Sequence, residues 1–305
     1  MLSSERSILN MSPGLKMALF IALTGLCMIL GGLISFYIVS VALHINFNEI
    51  QAVILRPEYA TITQFANALA SIIAFGLPSI AVAYFSDGRV IKNMGFNSIK
   101  SIEQIALVIM IAFVGLILSG ALGDLNEKIP LPATFKFRAQ QLEDQYKKAL
   151  FAMTQMKSFA DLFFAIIAVA VVPAIVEELY FRASLQKILM DWTGKPFAAI
   201  IVTAIIFSVF HFSYFGFLSR MSLGIVLGCI YFFTKTIWLP ILMHFINNAI
   251  GVTALYFFRN DAEKVERVID GSLSYYWSII AIIAVYLLLK KLKNIVYDEG
   301  LEKGI

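Results

Sequence analysis

Long apolar runs without a charged side chain dominate the pattern along this chain. Residues 17–43 contain no charged residue, and neither do residues 59–86. Both runs exceed the roughly 20 residues that a helix needs to cross the hydrocarbon core of a membrane. Charge-poor segments predict eight membrane helices in all, at about 17–43, 61–85, 104–123, 159–181, 197–217, 221–234, 236–258 and 273–289. The sixth segment is short for a span, so the expected count is eight to within about one.

This pattern predicts an all-α fold, a polytopic bundle of transmembrane helices. The composition agrees, because 60% of the residues are hydrophobic and 14% are charged, against about 45–50% and about 25% in soluble domains. The first run lacks a small-residue cleavage site and is too long for a signal-peptide core, so we interpret it as a retained anchor. Cys27 and Cys229 lie inside apolar runs, which does not indicate a disulfide framework.

A polar stretch divides the chain into regions. We expect about three N-terminal spans at 1–123, an amphipathic, interfacial linker at 124–158, the catalytic membrane bundle at 159–289 and a basic cytoplasmic tail at 290–305. With both termini in the cytoplasm, thirteen Lys and Arg residues fall inside and five fall outside, the other six of the 24 lying in the linker. This asymmetry predicts a multi-pass protein with cytoplasmic termini, in the cell membrane if the source is bacterial. The net charge of +4 is modest and does not indicate nucleic-acid binding.

Polar residues in the C-terminal half interrupt the apolar pattern. A charge inside a membrane helix costs at least about 2.5–3.5 kcal/mol and normally has a function. Glu178 and Arg182 are four residues apart on one helix face, so we expect them to pair. Glu177 then points about 100° away without an obvious local partner. Its carboxylate is the candidate for general acid-base chemistry, although a helix-end network of all three charges is the simpler structural interpretation.

Two histidines follow in later apolar segments. His211 lies about fourteen residues into the fifth segment, with Phe207 one turn earlier, where it can limit water. His244 and Asn248 share a helix face, and their side chains suit proton transfer and oxyanion stabilisation. The zinc-protease motif H-E-x-x-H and the hydrolase motif G-x-S-x-G are both absent. A metal site of Glu177, His211 and His244 stays open.

These three motifs, in this order, resemble the CPBP family of intramembrane proteases, which includes CAAX prenyl endopeptidases and bacteriocin-processing and self-immunity proteins. The family pattern is E-E-x-x-x-R, then F-x-x-x-H, then H-x-x-x-N. The chain matches it at every motif position, with Glu177, Glu178 and Arg182, then Phe207 and His211, then His244 and Asn248. The resemblance covers roughly residues 160 to 255 and implies an α-helical membrane peptidase.

The resemblance also implies roles for the site residues. Glu177 would be the general base that activates water with His211, His244 and Asn248 would stabilise the oxyanion, and Glu178 and Arg182 would brace the site. The resemblance does not define a cofactor, and it leaves open whether the site binds a divalent metal such as zinc. The expected partners are the lipid bilayer and a membrane-associated peptide or protein substrate.

A proton- or ion-coupled transporter is the main alternative function, because buried charges also mark ion pathways. A non-enzymatic scaffold or immunity protein on the same fold is another.

Overall fold

The computed structural model describes residues 11–54, 56–153, 156–271 and 273–302. Every regular element in these ranges is helical, which confirms the predicted fold class. The principal helices are α1 (Pro13–Leu43), α2 (Ala60–Ser86), α3 (Ile102–Glu127), α4 (Ala133–Met153), α5 (Phe159–Thr193), α6 (Pro196–Val209), α7 (Phe217–Thr234), α8 (Trp238–Phe258), α9 (Ala262–Asp270) and α10 (Trp277–Glu302). Arg6 and Lys303, which entered the predicted charge asymmetry, lie outside the described residues.

Six helices in the described ranges are long and apolar enough to cross a membrane: α1, α2, α3, α5, α7 and α8. The predicted count of about eight is therefore approximate. The fifth predicted segment forms only the 14 residues of α6, because the chain turns after Val209. The sixth, expected to be short, is an 18-residue helix. The eighth predicted segment lies in α10. Lys290, Lys291 and Lys293 follow the apolar part of this helix and lower the mean hydropathy of the helix.

Local sequence signals fix where several helices begin. Ser12 accepts a hydrogen bond from the Leu15 backbone N–H, and a proline occupies the first turn of α1. At the start of α5, Ser158 and Asp161 form a reciprocal capping box with each other's backbone N–H groups. α5 ends at Gly194, whose φ of 66° is left-handed and favours glycine. The helix that carries Glu177 and Glu178 is thus defined at both ends by the sequence.

Two prolines inside membrane helices coincide with widened, π-helical turns. Ile72–Gly76 precedes Pro78 in α2, and Ile166–Val171 precedes Pro173 in α5. Proline has no N–H to donate and clashes with the preceding turn, so the backbone adjusts locally instead of ending the helix. A third π-helical stretch, Leu179–Gln186, follows Glu178. Such stretches are common at functional sites.

Two apolar clusters flank the candidate site. The first, from α3, α7, α8 and α10, includes Ile111, Leu227, Met243 and Val285. The second, from α1, α2, α5 and α6, includes Phe20, Val82, Tyr180, Phe181 and Phe207. Because lipid is as apolar as these side chains, close packing rather than hydrophobic burial holds such helices together.

Gly31 and Gly32 provide a test of that packing between α1 and α2. A Cβ added at Gly31 would lie 2.9 Å from the Ala70 carbonyl oxygen, whereas one at Gly32 meets nothing within 4 Å. We expect Gly31→Ala to destabilise the protein, because overpacking typically costs about 1–3 kcal/mol. Gly32→Ala should be neutral or stabilising, since alanine favours a helix by up to about 1 kcal/mol over glycine. Thermal unfolding in detergent measures both, and equal melting temperatures would contradict the close α1–α2 contact.

Candidate functional site

The centre of the site is a buried chain of charged and polar side chains. The Glu178–Arg182 ion pair expected from the sequence is present, with Oε1 and Nη1 3.0 Å apart and both side chains fully buried. His244 of α8 lies on the same carboxylate, with Nδ1 2.8 Å from Glu178 Oε1. A carboxylate can only accept, so Nδ1 of His244 carries the proton. Glu178 therefore links α5 to α8 and fixes the orientation of the imidazole.

Arg182 and Gln186 attach α5 to α7 through two parallel hydrogen bonds. Arg182 Nη2 donates to the Gly224 carbonyl at 3.2 Å, and Gln186 Nε2 donates to the Gly228 carbonyl at 3.1 Å. A Cβ at Gly228 would lie 2.8 Å from Gln186 Oε1. Sequence reasoning missed this contact, although the G-x-x-x-G spacing of the two glycines is a known signal of close helix packing.

Glu177 lies beside this chain but is not bonded into it. Its Oε2 is 3.9 Å from His244 Nε2, which is too long for a hydrogen bond, and the same oxygen is buried with no hydrogen-bond partner. The side chain is 17% exposed, against 0% for Glu178. The two adjacent carboxylates thus have different surroundings, as their helical positions predict, and Glu177 is the one available to a ligand.

His211 is not inside a helix, and this part of the sequence prediction was wrong. α6 ends at Val209, and His211 lies in the turn that follows, ahead of Phe212 at a left-handed φ of 51°. Its Nδ1 lies 2.9 Å from the Phe207 carbonyl oxygen. Since a carbonyl only accepts, Nδ1 is the protonated nitrogen and Nε2 of the neutral ring is a proton acceptor.

The Phe207 ring contacts three of the candidate residues. Its centroid is 4.9 Å from that of His211 and 6.1 Å from that of His244, both edge-on. The Arg182 guanidinium carbon lies 4.8 Å from the same centroid. The ring is 4% exposed. Phe207 therefore packs against both imidazoles and the Arg182 guanidinium and restricts their orientations.

Asn248 is held by a backbone carbonyl of α5. Its Nδ2 donates to the Val169 carbonyl at 3.3 Å, and the residue four positions later is Pro173, which has no N–H for that carbonyl. An amide NH₂ has two donors, so Asn248 keeps one for a ligand. Asn247, the residue before it, is buried, also lines the cavity described below and has an unpaired Oδ1.

Residues 210–216, which form the turn that carries His211, are fixed by side chains that sequence reasoning missed. Asn126 of α3 donates to the Tyr214 carbonyl at 3.0 Å and accepts from the Leu218 N–H at 2.9 Å. Glu143 of α4 accepts from the Ser213 hydroxyl at 2.6 Å. No local motif connects these positions, which are 70 or more residues from their partners. Residues 133–153 of the predicted linker form helix α4, and Glu143 of this helix contacts the turn that carries His211.

A cavity of about 390 Å³ lies in front of these residues. Its inner wall includes Phe207, His211, His244 and Asn248, and helices α3, α4, α7 and α9 form the rest of its lining. Glu177 is not among the lining residues, but its Oε2 lies 3.9 Å from Nε2 of His244, which is. The volume is within the range of about 300–1,000 Å³ that small-ligand sites occupy. The arrangement can hold a short polar segment of a ligand against the two imidazoles.

The metal site left open by the sequence is not formed by these side chains. Within the described residues, no group of three His, Cys, Asp or Glu side chains is close enough to hold a metal ion. The Nδ1 atoms of both histidines are occupied, by Glu178 and by the Phe207 carbonyl. Within the described residues Glu177, His211 and His244 are not arranged as a three-ligand metal centre, although the free Nε2 of each ring is the nitrogen that such a centre would use.

Comparison with known proteins identifies the region that carries the site. Residues 159–250 match the family model described as type II CAAX prenyl endopeptidase Rce1-like. No curated protein and no solved structure matches the chain. Together with the six candidate spans, the match indicates an integral membrane protein with a domain from a peptidase family. The matched segment, which runs from the start of α5 into α8 and holds every candidate residue from Glu177 to Asn248, is therefore similar to the Rce1-like domain of type II CAAX prenyl endopeptidases, in agreement with the resemblance to the CPBP family.

Proposed function

We propose that the protein is an intramembrane endopeptidase that hydrolyses a peptide bond of a membrane-associated protein or peptide with an activated water. The observation that carries this proposal is the pairing of an unbonded buried carboxylate, Glu177, with an imidazole that a second carboxylate orients. Peptide hydrolysis needs a base for the water proton and donors for the oxyanion. The site offers both without a covalent nucleophile.

Glu177 is the general base in this proposal, and His211 assists it. Glu177 Oε2 has no hydrogen-bond partner to compete with a water, and His211 presents an unprotonated Nε2. Within the described residues no direct hydrogen bond joins the two side chains, and in this proposal a water molecule binds to both of them. Glu177 takes a proton from this water as the water oxygen attacks the carbonyl carbon of the peptide bond. The same proton then passes to the leaving amine as the peptide C–N bond breaks.

His244 and Asn248 stabilise the negative charge that develops on the carbonyl oxygen. Asn248 has an amide N–H left over from its bond to the Val169 carbonyl. His244 presents Nε2 to the site because Glu178 holds Nδ1, and Nε2 donates when the ring is protonated. Removing one donor of this kind typically costs about 10²–10³ in kcat. Glu178 and Arg182 act by holding His244 in place.

The substrate reaches the site from the membrane or its surface. Glu177, His211 and His244 lie among helices with membrane character, while the cavity is lined partly by the amphipathic helices α4 and α9. If both termini are in the cytoplasm, as the distribution of Lys and Arg predicts, α4 and α9 lie on the non-cytoplasmic side of the membrane. A hydrophobic or lipid-anchored peptide whose polar end enters the cavity fits this arrangement.

Comparing membrane proteomes tests the proposal in cells. Cells that produce the wild-type protein are compared with cells that produce equal amounts of the Glu177→Ala protein. We expect at least one membrane-associated protein or peptide to accumulate uncleaved with the variant, with a new terminus detectable only with the wild type. Identical sets of termini at equal abundance of the two proteins would contradict the proposal.

A further inference from the structure

Arg220, at the start of α7, extends a guanidinium into the same cavity as His211 and His244. One face lies against the Tyr146 ring, with Cζ 4.8 Å from the centroid. The guanidinium also lies close to Gly216, where an added Cβ would overlap it. Stacking on an aromatic ring and close approach to a backbone hold this planar group in one orientation. The site therefore presents a fixed cationic fork rather than a mobile surface charge.

This guanidinium has no anionic partner in the protein. Arg220 Nη1 is shielded from solvent and has no hydrogen-bond partner, and Arg220 forms no ion pair within the described residues. Glu143, a carboxylate of the same cavity, accepts from the Ser213 hydroxyl instead. A shielded, unpaired cationic donor is costly unless a ligand supplies an acceptor. Arg182, the fully buried arginine of α5, is by contrast paired with Glu178.

We propose that Arg220 forms a subsite that binds a carboxylate of the substrate peptide, which rests on the endopeptidase function proposed above. Arginine matches a carboxylate with two parallel N–H donors, which adds geometric specificity to the charge attraction. The carboxylate is either the free C-terminus of the peptide or an Asp or Glu side chain, since both carry the same group. Anchoring it in the cavity fixes which peptide bond lies next to His211 and His244.

The binding experiment uses three short lipidated peptides of one sequence. The first ends in a free carboxylate, the second in a C-terminal amide, and the third has the amide with Glu in place of a Gln near the end. Their affinity for the detergent-solubilised Glu177→Gln protein is measured, so that cleavage does not interfere. The measurement is repeated with Arg220→Gln and Arg220→Lys in the same background. Arg267→Gln, which changes an exposed arginine of α9, is the matched control.

We expect the affinity of the first or the third peptide to be at least about tenfold higher than that of the second, because a hydrogen bond with a charged group typically contributes that much. Preference for the first assigns the subsite to the C-terminus, and preference for the third assigns it to a side chain. Arg220→Gln should remove the preference, Arg220→Lys should weaken it and Arg267→Gln should keep it. Equal binding of the three peptides, or a preference that survives Arg220→Gln, would overturn the proposal.

Cleavage of the same peptides by the wild-type protein separates this proposal from the proposed function. Carboxylate-dependent binding without cleavage would contradict the endopeptidase function and leave the subsite intact. Cleavage of all three peptides with equal kcat/KM would uphold the peptidase and refute the subsite. Because the wild-type comparison requires no variant, a folding defect of an Arg220 variant cannot hide the answer.

Discussion

Replacing Arg182 with leucine is expected to destabilise the protein by about 3–5 kcal/mol, because it leaves the Glu178 carboxylate buried without its cation. Both side chains are fully buried, and their charged atoms are 3.0 Å apart. The substitution also removes the hydrogen bond from Arg182 to the Gly224 carbonyl. The expected loss is large compared with the stability of a typical domain, about 5–15 kcal/mol. Denaturant unfolding in detergent measures it.

A second Glu–Arg pair with the same four-residue spacing provides the matched control. Glu263 and Arg267 pair on α9, but their side chains are more than two-thirds exposed. Arg267→Leu should therefore change stability little, since exposed pairs contribute little. The double variant Glu178→Gln/Arg182→Met should recover stability relative to Arg182→Leu, because it removes both charges and keeps an acceptor for His244. Equal effects of Arg182→Leu and Arg267→Leu would contradict the buried network.

Glu177→Gln is expected to lower kcat by about 10²–10⁴, the usual contribution of a general base. Glutamine has the same shape but cannot accept the water proton. Stability should change little, since Glu177 Oε2 has no hydrogen bond to lose. Peptide cleavage and thermal unfolding of the same preparation measure the two effects. Glu103→Gln, which alters an exposed carboxylate on α3, is the control. A loss of stability as large as the one expected for Arg182→Leu would instead indicate a structural role for Glu177.

The fold was predictable to the extent that it depends on local pattern. Uncharged runs of residues that are long enough to cross a bilayer as a helix predict α1, α2 and α3. The same pattern overestimated the length of the fifth helix, because residues 210–217 have no Asp, Glu, Lys or Arg and include four phenylalanines. The absence of these charges did not mark the end of the helix. The side chains that hold this turn, Asn126 and Glu143, come from α3 and α4.

For the candidate site, helical spacing predicted local relations and missed distant ones. The four-residue spacing of Glu178 and Arg182 predicted their ion pair. The contact of His244 with Glu178, across 66 residues, depends on how α5 and α8 pack. Sequence reasoning could not provide that packing. Arg220 was counted only among the five Lys and Arg residues on the non-cytoplasmic side, because its place in the cavity depends on Tyr146 and Gly216. The roles of Glu177, His211, His244 and Asn248 stay predictions.

The most direct test of the central claim, that Glu177 supports peptide hydrolysis in the membrane, uses purified protein in lipid vesicles. Wild-type and Glu177→Gln proteins are reconstituted in equal amounts with a lipidated peptide, and mass spectrometry detects new termini while ion flux is recorded. The account predicts time-dependent cleavage by the wild type, at least about 10² slower cleavage by Glu177→Gln, and no flux that depends on Glu177. Equal cleavage by both proteins, or Glu177-dependent flux without cleavage, would contradict it.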